Sequence, residues 1–207
     1  MMPSISAEEL CHAYRLGYFP MAMSRADPTL FWFNPDPRGI LPLDDFHIPR
    51  SLRKILRTHP YHFTLNAAFE DVMLGCAENR AESWINPAIL SLYTQLHRQG
   101  HAISLEVWES PESRILDPES SLIGGIYGVT LGGAFFGESM FSRRPNASKI
   151  ALVKLVDALK CAGYTLFDTQ YQNAHIAQFG VVEIPRDTYM QRLQQALAIT
   201  PRPLNLA

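Results

Sequence analysis

Apolar residues recur along the chain at two spacings, about three to four residues in some segments and about two in others, the periods of helices and strands. Helices are predicted to begin near Ser6, His47, Asn66, Asn86, Asn146 and Arg186. Strands are predicted at 61–65, 102–108, 122–131, 164–170 and 181–185, with a further strand opening at Ala134. Meandering strands followed by helices indicate a mixed α+β fold.

Short polar residues predict where several helices begin. Ser6 and Glu9 are spaced as a capping box, in which each side chain accepts a hydrogen bond from a free backbone N–H group at the helix start. Asn66, Asn86 and Asn146 are predicted N-caps, because an asparagine oxygen accepts the same kind of hydrogen bond.

The length and composition are those of an ordinary folded protein. The chain has 207 residues, of which 47% are hydrophobic, and this suits one domain or one domain with a small annex. We predict a small N-terminal part over residues 1–60 and a larger catalytic domain over residues 61–207. The segment 109–121 contains prolines, acids and serines and predicts a flexible hairpin loop. The tail 200–207 is predicted to be loose.

Charge, cysteine usage and the distribution of apolar runs narrow the function classes. No run of 18 or more apolar residues occurs, so no membrane span is predicted. The N-terminus has neither the basic start nor the apolar block of a secretory signal. Cys11, Cys76 and Cys161 are isolated, which predicts a reducing cytoplasm and no metal motif. The net charge of −2 argues against a uniformly basic nucleic-acid binder and allows a local basic patch.

One acid stands inside an apolar strand and is the first candidate for chemistry. Glu138 is set among Phe135, Phe136, Met140 and Phe141. Burying an unpaired carboxylate is unfavourable, so Glu138 needs a partner or a task. The polar turn and helix that follow are the elements with which acetyltransferase-like folds hold an acyl donor. A buried strand with a stray acid explains the same residues equally well.

A second acid ends another apolar strand. Asp168 and Gln170 are two residues apart, so their side chains leave the same face of that strand. An acid in this position suits a general base or an orienting group, with Gln170 as its hydrogen-bond partner. On spacing alone, a capping or turn acid is an equally good interpretation.

One basic stripe and one aromatic segment are candidates for contacts with nucleic acid. Arg50, Arg53, Lys54 and Arg57 share one helical face, where phosphate contacts would depend strongly on salt. A solvated amphipathic helix would show the same pattern. Trp32 lies in a segment rich in aromatic residues and prolines; exposed, it could stack on a nucleobase, and buried, it would belong to the core.

Several of these motifs together resemble the leucyl/phenylalanyl-tRNA–protein transferase family. The resemblance rests on Gly-Glu-Ser-Met-Phe-Ser from Gly137, Asn-Ala-Ser-Lys from Asn146, the Asp-x-Gln pair at Asp168, and Trp-x-x-Pro-Asp-Pro-Arg from Trp32. It spans roughly residues 6–190.

The sequence departs from the family pattern in three places. Gln178 stands where the family usually has serine before its Phe-Gly pair, which puts the role of a hydroxyl there in doubt. Ile103 stands where a histidine is common. The usual longer N-terminal leader is missing, so a reduced N-terminal subdomain is expected.

The resemblance implies a fold and an activity. The fold is an α+β, acetyltransferase-like mixed sheet flanked by helices, with the sheet starting at about residue 60 and a small N-terminal subdomain before it. The activity is transfer of Leu or Phe, and also Met, from aminoacyl-tRNA to the N-terminal Arg or Lys of an acceptor protein, which marks that protein for degradation. The ester of the donor is already activated, so no ATP, cofactor or metal is expected.

The resemblance also implies roles for the candidate residues. Asp168, oriented with Gln170, would accept or electrostatically support the proton of the attacking amine, and Glu138 would fix the α-amino group of the donated residue. The pocket for the donated residue would include Phe135, Gly137, Met140, Ser142 and Leu152. The acceptor end of the tRNA would be held by Trp32, Trp84 and the basic stripe Arg50, Arg53, Lys54 and Arg57.

The transferase is expected to be a cytoplasmic monomer. Two other functions are considered. An N-acyltransferase that uses acyl-CoA would need an Arg/Gln-x-x-Gly-x-Gly/Ala run before a helix, and the sequence has no such run. A non-catalytic RNA-binding module would leave Glu138 and Asp168 without a task in apolar strands.

Overall fold

The computed structural model describes residues 5–25, 27, 29–58, 61–78, 84–109 and 121–206. The helices within these ranges are α1 (Ala7–Arg15), α2 (Arg50–Thr58), α3 (Phe69–Ala77), α4 (Pro87–Arg98), α5 (Ala147–Ala162), α6 (Ala174–Ala177) and α7 (Arg186–Leu197). The strands are β1 (Phe19–Ala22), β2 (Leu30–Phe33), β3 (Arg38–Ile40), β4 (His62–Leu65), β5 (Ala102–Glu109), β6 (Ser121–Leu131), β7 (Ala134–Ser142), β8 (Leu166–Gln170) and β9 (Val182–Ile184). Apart from its two end residues, the loop predicted at 109–121 lies outside the described residues.

The described strands form one mixed sheet of seven, in the order β4-β5-β6-β7-β8-β3-β9, and a separate pair, β1 and β2. Neighbours in the large sheet are antiparallel except β7 and β8, which run parallel and are connected by α5. A parallel pair requires such a crossover because both strands start at the same end. The predicted mixed sheet flanked by helices is confirmed. Its predicted start at about residue 60 is wrong, because β3 lies between β8 and β9; the division into two domains stays a prediction.

Helices cover both faces of the large sheet and produce two apolar cores. One core takes residues from α1, α3, α4 and α7, and the other takes residues from α2, α5 and α6. Successive residues of a strand point to opposite faces, and Phe136 and Phe135 accordingly belong to different cores. The cores fix the sheet between two layers of helices and so set the frame for the site.

The predicted helix caps are confirmed at two helices. Ser6 Oγ accepts a hydrogen bond from Glu9 N at 3.2 Å, and Glu9 Oε2 accepts one from Ser6 N at 2.8 Å. Asn86 Oδ1 accepts one from Ile89 N at 2.9 Å at the start of α4.

The prediction that Asn66 caps α3 is wrong. Asn66 Oδ1 instead accepts a hydrogen bond from Ser104 N at 3.0 Å, and α3 begins after Ala68. The buried Glu106 of β5 takes over this role. Its carboxylate accepts hydrogen bonds from Ala67 N at 3.3 Å and from Ala68 N at 3.4 Å, just before α3 begins. An anion there is also favoured by the partial positive charge of a helix N-terminus.

Asn146 occupies the N-cap position of α5, but its side chain makes no capping bond and its φ is 69°. Ser142 Oγ accepts from Ser148 N at 2.8 Å and satisfies a backbone group in the first turn instead. The helix start is therefore tied to the end of β7, and this connection holds one edge of the site described below.

The prediction of a loose tail is wrong for residues 200–206. Arg202 N donates a hydrogen bond to Ala162 O at 2.8 Å, and Leu204 and Leu206 pack against the core that contains α5. Across the part of the chain that the structure describes, no helix is both long enough and apolar enough to cross a bilayer.

Candidate active site

A cavity of about 780 Å³ opens between β7, β8 and the starts of α5 and α6. It brings together six residues singled out in the sequence, namely Gly137, Glu138, Met140, Ser142, Leu152 and Gln170. The parallel pairing of β7 with β8 covers only Ala134–Phe136 against Leu166–Asp168. Beyond these pairs both strands contribute residues to the lining, so the cavity lies where the pairing ends.

Glu138 is placed in the cavity by a bulge in β7. Tyr127 of β6 pairs with Ser139, and Gly128 pairs with Gly137, so Glu138 is the extra residue between two consecutive pairs. Such a bulge re-aims the side chain of the inserted residue. Gly128 permits the close approach, because a Cβ atom there would lie 2.1 Å from Phe136 O.

Two tyrosines on different helices hold the Glu138 carboxylate. Tyr14 of α1 donates to Oε1 at 2.6 Å and Tyr93 of α4 to Oε2 at 3.2 Å, and the two hydroxyl oxygens are 2.5 Å apart. Burial raises the pKa of Glu138 to about 7, although both tyrosine hydrogen bonds act to lower it. Glu138 therefore changes its charge near neutral pH.

Asp168 lies behind the cavity and does not line it. Arg38 donates to it twice, from Nε to Oδ1 at 2.9 Å and from Nη2 to Oδ2 at 2.6 Å. Gln170 N donates to Oδ1 at 2.8 Å, and Tyr189 Oη donates to Oδ2 at 2.8 Å. A carboxylate has about four acceptor positions, and all are occupied here. This geometry leaves no free position for direct proton transfer and favours electrostatic support, the second of the two predicted roles.

Arg38 is fully buried, and its ion pair with Asp168 has 0% exposure on both side chains. Its Nη1 also donates to Gly17 O at 2.9 Å, at the end of α1. Its guanidinium lies between two rings, 4.9 Å from the centre of Phe19 and 4.5 Å from that of Tyr189.

Gln170 connects the ion pair with the cavity. Its backbone φ of 58° is unusual for a residue other than glycine, and such conformations persist where the surroundings impose them. In this conformation its own N–H group donates a hydrogen bond to Asp168. Its side chain lines the cavity, and among the described residues its buried Nε2 has no hydrogen-bond partner. Thr169 Oγ1, on the neighbouring residue, is also buried and has no hydrogen-bond partner among the described residues.

Three other predicted substrate-binding residues do not line the cavity. Phe135 packs edge-on behind Phe167, with ring centres 4.8 Å apart, and Phe167 takes its place in the lining. Trp84 packs edge-on against Tyr93 at 6.5 Å, one layer behind Glu138. Trp32 lies on β2 with 39% exposure.

The predicted basic stripe lies on α2, away from the cavity. Its members Arg50, Arg53, Lys54 and Arg57 are all exposed, while Leu52 on the opposite side is buried. The predicted helical face is confirmed, and contact with nucleic acid stays a prediction.

Comparison with known proteins identifies the family. Residues 40–194 match the family model for the leucyl/phenylalanyl-tRNA protein transferase, and residues 4–36 match the model for the N-terminal domain of that transferase. The chain belongs to this family. It is an aminoacyltransferase, with aminoacyl-tRNA and an acceptor protein as its two substrates.

Individual relatives agree with the family assignment. The leucyl/phenylalanyl-tRNA–protein transferase of Ruegeria pomeroyi is 52% identical over 194 residues, which cover 94% of this chain and 88% of the relative. That of Maricaulis maris is 49% identical over 199 residues, with 95% and 88% covered. Among solved structures, FemX matches with a TM-score of 0.52 at 12% identity, over 83% of this chain and 63% of FemX. This last likeness concerns the fold alone.

Sequence reasoning missed the residues that hold the two acids of this transferase. Tyr14 and Tyr93 occupy apolar positions of their helices, and nothing in the spacing distinguishes them from core residues. Arg38 is 130 residues from Asp168 in sequence. A usable signal was the residue type, since a tyrosine at a core position needs a partner for its hydroxyl.

We predict that replacing Arg38 with Met destabilises the protein far more than replacing Arg186 with Met. Loss of Arg38 leaves Asp168 buried without a counter-charge, which costs about 3–5 kcal/mol of the free energy of unfolding. Arg186 pairs with Asp36 at 3.5 Å on the surface, where a pair contributes about 1 kcal/mol or less. Urea unfolding of the two variants measures the difference, and equal losses would contradict the prediction.

Proposed function

We propose that the chain transfers Leu, Phe or Met from aminoacyl-tRNA to the α-amino group of a protein that begins with Arg or Lys. The supporting observation is that Glu138 and Gln170 line one cavity beside the apolar side chains of Met140 and Leu152. We also propose that the protein is a cytoplasmic monomer. The new N-terminus of the acceptor would mark that protein for degradation.

The donor residue is proposed to bind through its α-amino group and its side chain. The ionised Glu138 attracts the α-ammonium group, and Met140 and Leu152 contact the side chain. Gly137 allows Phe167 to pack against this wall, because a Cβ atom there would lie 2.7 Å from the ring of Phe167. Apolar pockets separate side chains of similar size by only about 1–3 kcal/mol, so acceptance of Leu, Phe and Met together is expected.

The acceptor amine is proposed to attack beside Gln170. The amine nitrogen bonds to the ester carbonyl carbon, the bond to the ribose oxygen breaks, and one proton passes from the nitrogen to that oxygen. An amide oxygen of Gln170 would accept a hydrogen bond from the amine and orient it. Asp168 and Arg38 would hold Gln170 in its conformation, so their part is positioning and electrostatic support. Bringing the two reactants together supplies much of the acceleration, since the ester is already activated.

Incubation with labelled leucyl-tRNA and a peptide beginning with Arg tests the proposal. We expect label in the peptide, and no acetyl transfer from labelled acetyl-CoA to the same peptide. Acetyl transfer alone would favour the acyl-CoA enzyme, and tRNA binding with no transfer would favour the RNA-binding module. Either result would contradict the proposed function.

We predict that the apparent KM for aminoacyl-tRNA rises as the pH falls below about 7, because protonation removes the Glu138 charge that binds the donor. At one pH unit below the pKa only about one tenth of Glu138 is ionised, so KM should be about tenfold above its high-pH limit. Glu138→Gln should raise KM and abolish its further rise below about pH 7.

The Tyr14→Phe variant refines this measurement. It removes a hydrogen bond that favours the ionised form, so the transition should move to higher pH. Tyr164→Phe, at a half-buried tyrosine outside the cavity lining, is the matched control and should leave the profile in place. A profile that Glu138→Gln and Tyr14→Phe do not alter would remove Glu138 from donor binding.

We predict that replacing Arg50, Arg53 and Arg57 with Ala weakens tRNA binding and reduces its salt dependence. Each lost phosphate contact should lower the slope of log K against log salt by roughly 0.7–0.9, so three contacts give about 2 to 3. The binding constant is measured by the same titration at several salt concentrations between roughly 50 and 200 mM. An unchanged slope would show that α2 is only a solvated surface helix.

A further inference from the structure

The cavity contains one more carboxylate than the donor requires. Of the residues that the structure describes, two carboxylates line the cavity, Glu138 and Glu78. The proposed reaction brings in two cations, the α-ammonium group of the donor and the side chain of the acceptor's first residue. Glu138 lies between Tyr14 and Tyr93 on the donor side, so Glu78 is left for the second cation.

Glu78 already binds a guanidinium. It directly follows α3, and its side chain is 46% exposed. Arg143 donates to it from Nε to Oε2 at 3.1 Å and from Nη2 to Oε1 at 2.7 Å. These are the two parallel bonds with which a carboxylate recognises arginine. The position therefore has the geometry that an incoming arginine side chain would need.

The pair between Glu78 and Arg143 can be exchanged at little cost. An exposed ion pair contributes little to stability, because water solvates both partners and the side chains lose freedom when they pair. Arg143 has two further contacts that do not involve Glu78. Its Nη1 donates to Leu122 O at 2.9 Å, and its guanidinium lies 5.1 Å from the ring centre of Phe141. Arg143 therefore has other partners to turn to when its guanidinium moves away from Glu78.

We propose that Glu78 binds the cationic side chain of the acceptor's N-terminal Arg or Lys, and that Arg143 occupies this subsite until the acceptor arrives. The inference rests on the proposed function and adds the residue that selects the acceptor. A guanidinium replaces Arg143 bond for bond, whereas an ammonium group is bound as a point charge, so Arg is the better acceptor.

The test compares two peptides that differ only at the first residue, which is arginine or its neutral isostere citrulline. At saturating leucyl-tRNA, Glu78→Gln should raise KM for the arginine peptide about tenfold and leave the citrulline peptide unchanged. Glu109→Gln is the matched control, because Glu109 pairs with the adjacent Arg144 at 3.2 Å, is similarly exposed and does not line the cavity. It should change neither KM.

Arg143→Gln provides an independent measurement, since it removes the resident competitor and should lower KM for the arginine peptide. Calorimetric titration of both peptides into the wild-type protein and into Glu78→Gln measures peptide affinity at the subsite without any transfer reaction. If the wild type prefers arginine and Glu78→Gln keeps that preference, the inference is overturned while the proposed function stands. If the wild type transfers leucine to neither peptide, the proposed function fails; equal calorimetric affinities for the two peptides would overturn the subsite itself.

Discussion

The buried ion pair of Arg38 with Asp168 is the constraint on which the site depends. It joins β3 to β8 across neighbouring strands, and through Gly17 and Tyr189 it also reaches the end of α1 and the body of α7. Two charges without access to water are tolerated only when every donor and acceptor is satisfied. Asp168 meets that condition with four hydrogen bonds, one of which comes from the backbone N–H group of Gln170.

The same principle acts differently on Glu138. Its partners are two neutral hydroxyls, so burial is only partly compensated and its pKa stays near neutrality. One acid is thus held in an ion pair behind the cavity, while the other can gain or lose its proton inside it. Both acids are linked to this end of the chain, Glu138 through Tyr14 of α1 and the ion pair through Gly17 just after that helix, and this couples the N-terminal elements to the cavity.

Local patterns predicted the fold well and the site only in part. The capping box at Ser6 and the cap at Asn86 depend on neighbouring residues, so the sequence displays them directly. Glu138 could be found because an acid in an apolar run is conspicuous. Arg38 could not, because its segment of aromatic residues and prolines does not indicate a buried charge and its partner is distant in sequence. The prediction of Asn66 as a cap was wrong for a similar reason, since Glu106, which is distant in sequence, accepts the backbone hydrogen bonds at the start of α3. The family resemblance identified the reaction, which no local pattern would have specified.

The bulge in β7 has a consequence for the whole wall of the cavity. Before Glu138, Phe135 faces the core that contains α5 and Phe136 faces the other; after it, Met140 packs on the α5 side and Phe141 on the opposite side. Odd and even positions therefore exchange sides at a single inserted residue. Deleting that residue would leave a continuous ladder with β6 in which Met140 still pairs with Ile126 on the α5 side, so the strand would lose the Glu138 carboxylate and keep the facing of its later residues. The inserted residue thus adds a carboxylate to the cavity wall while the pairing on either side of it stays regular.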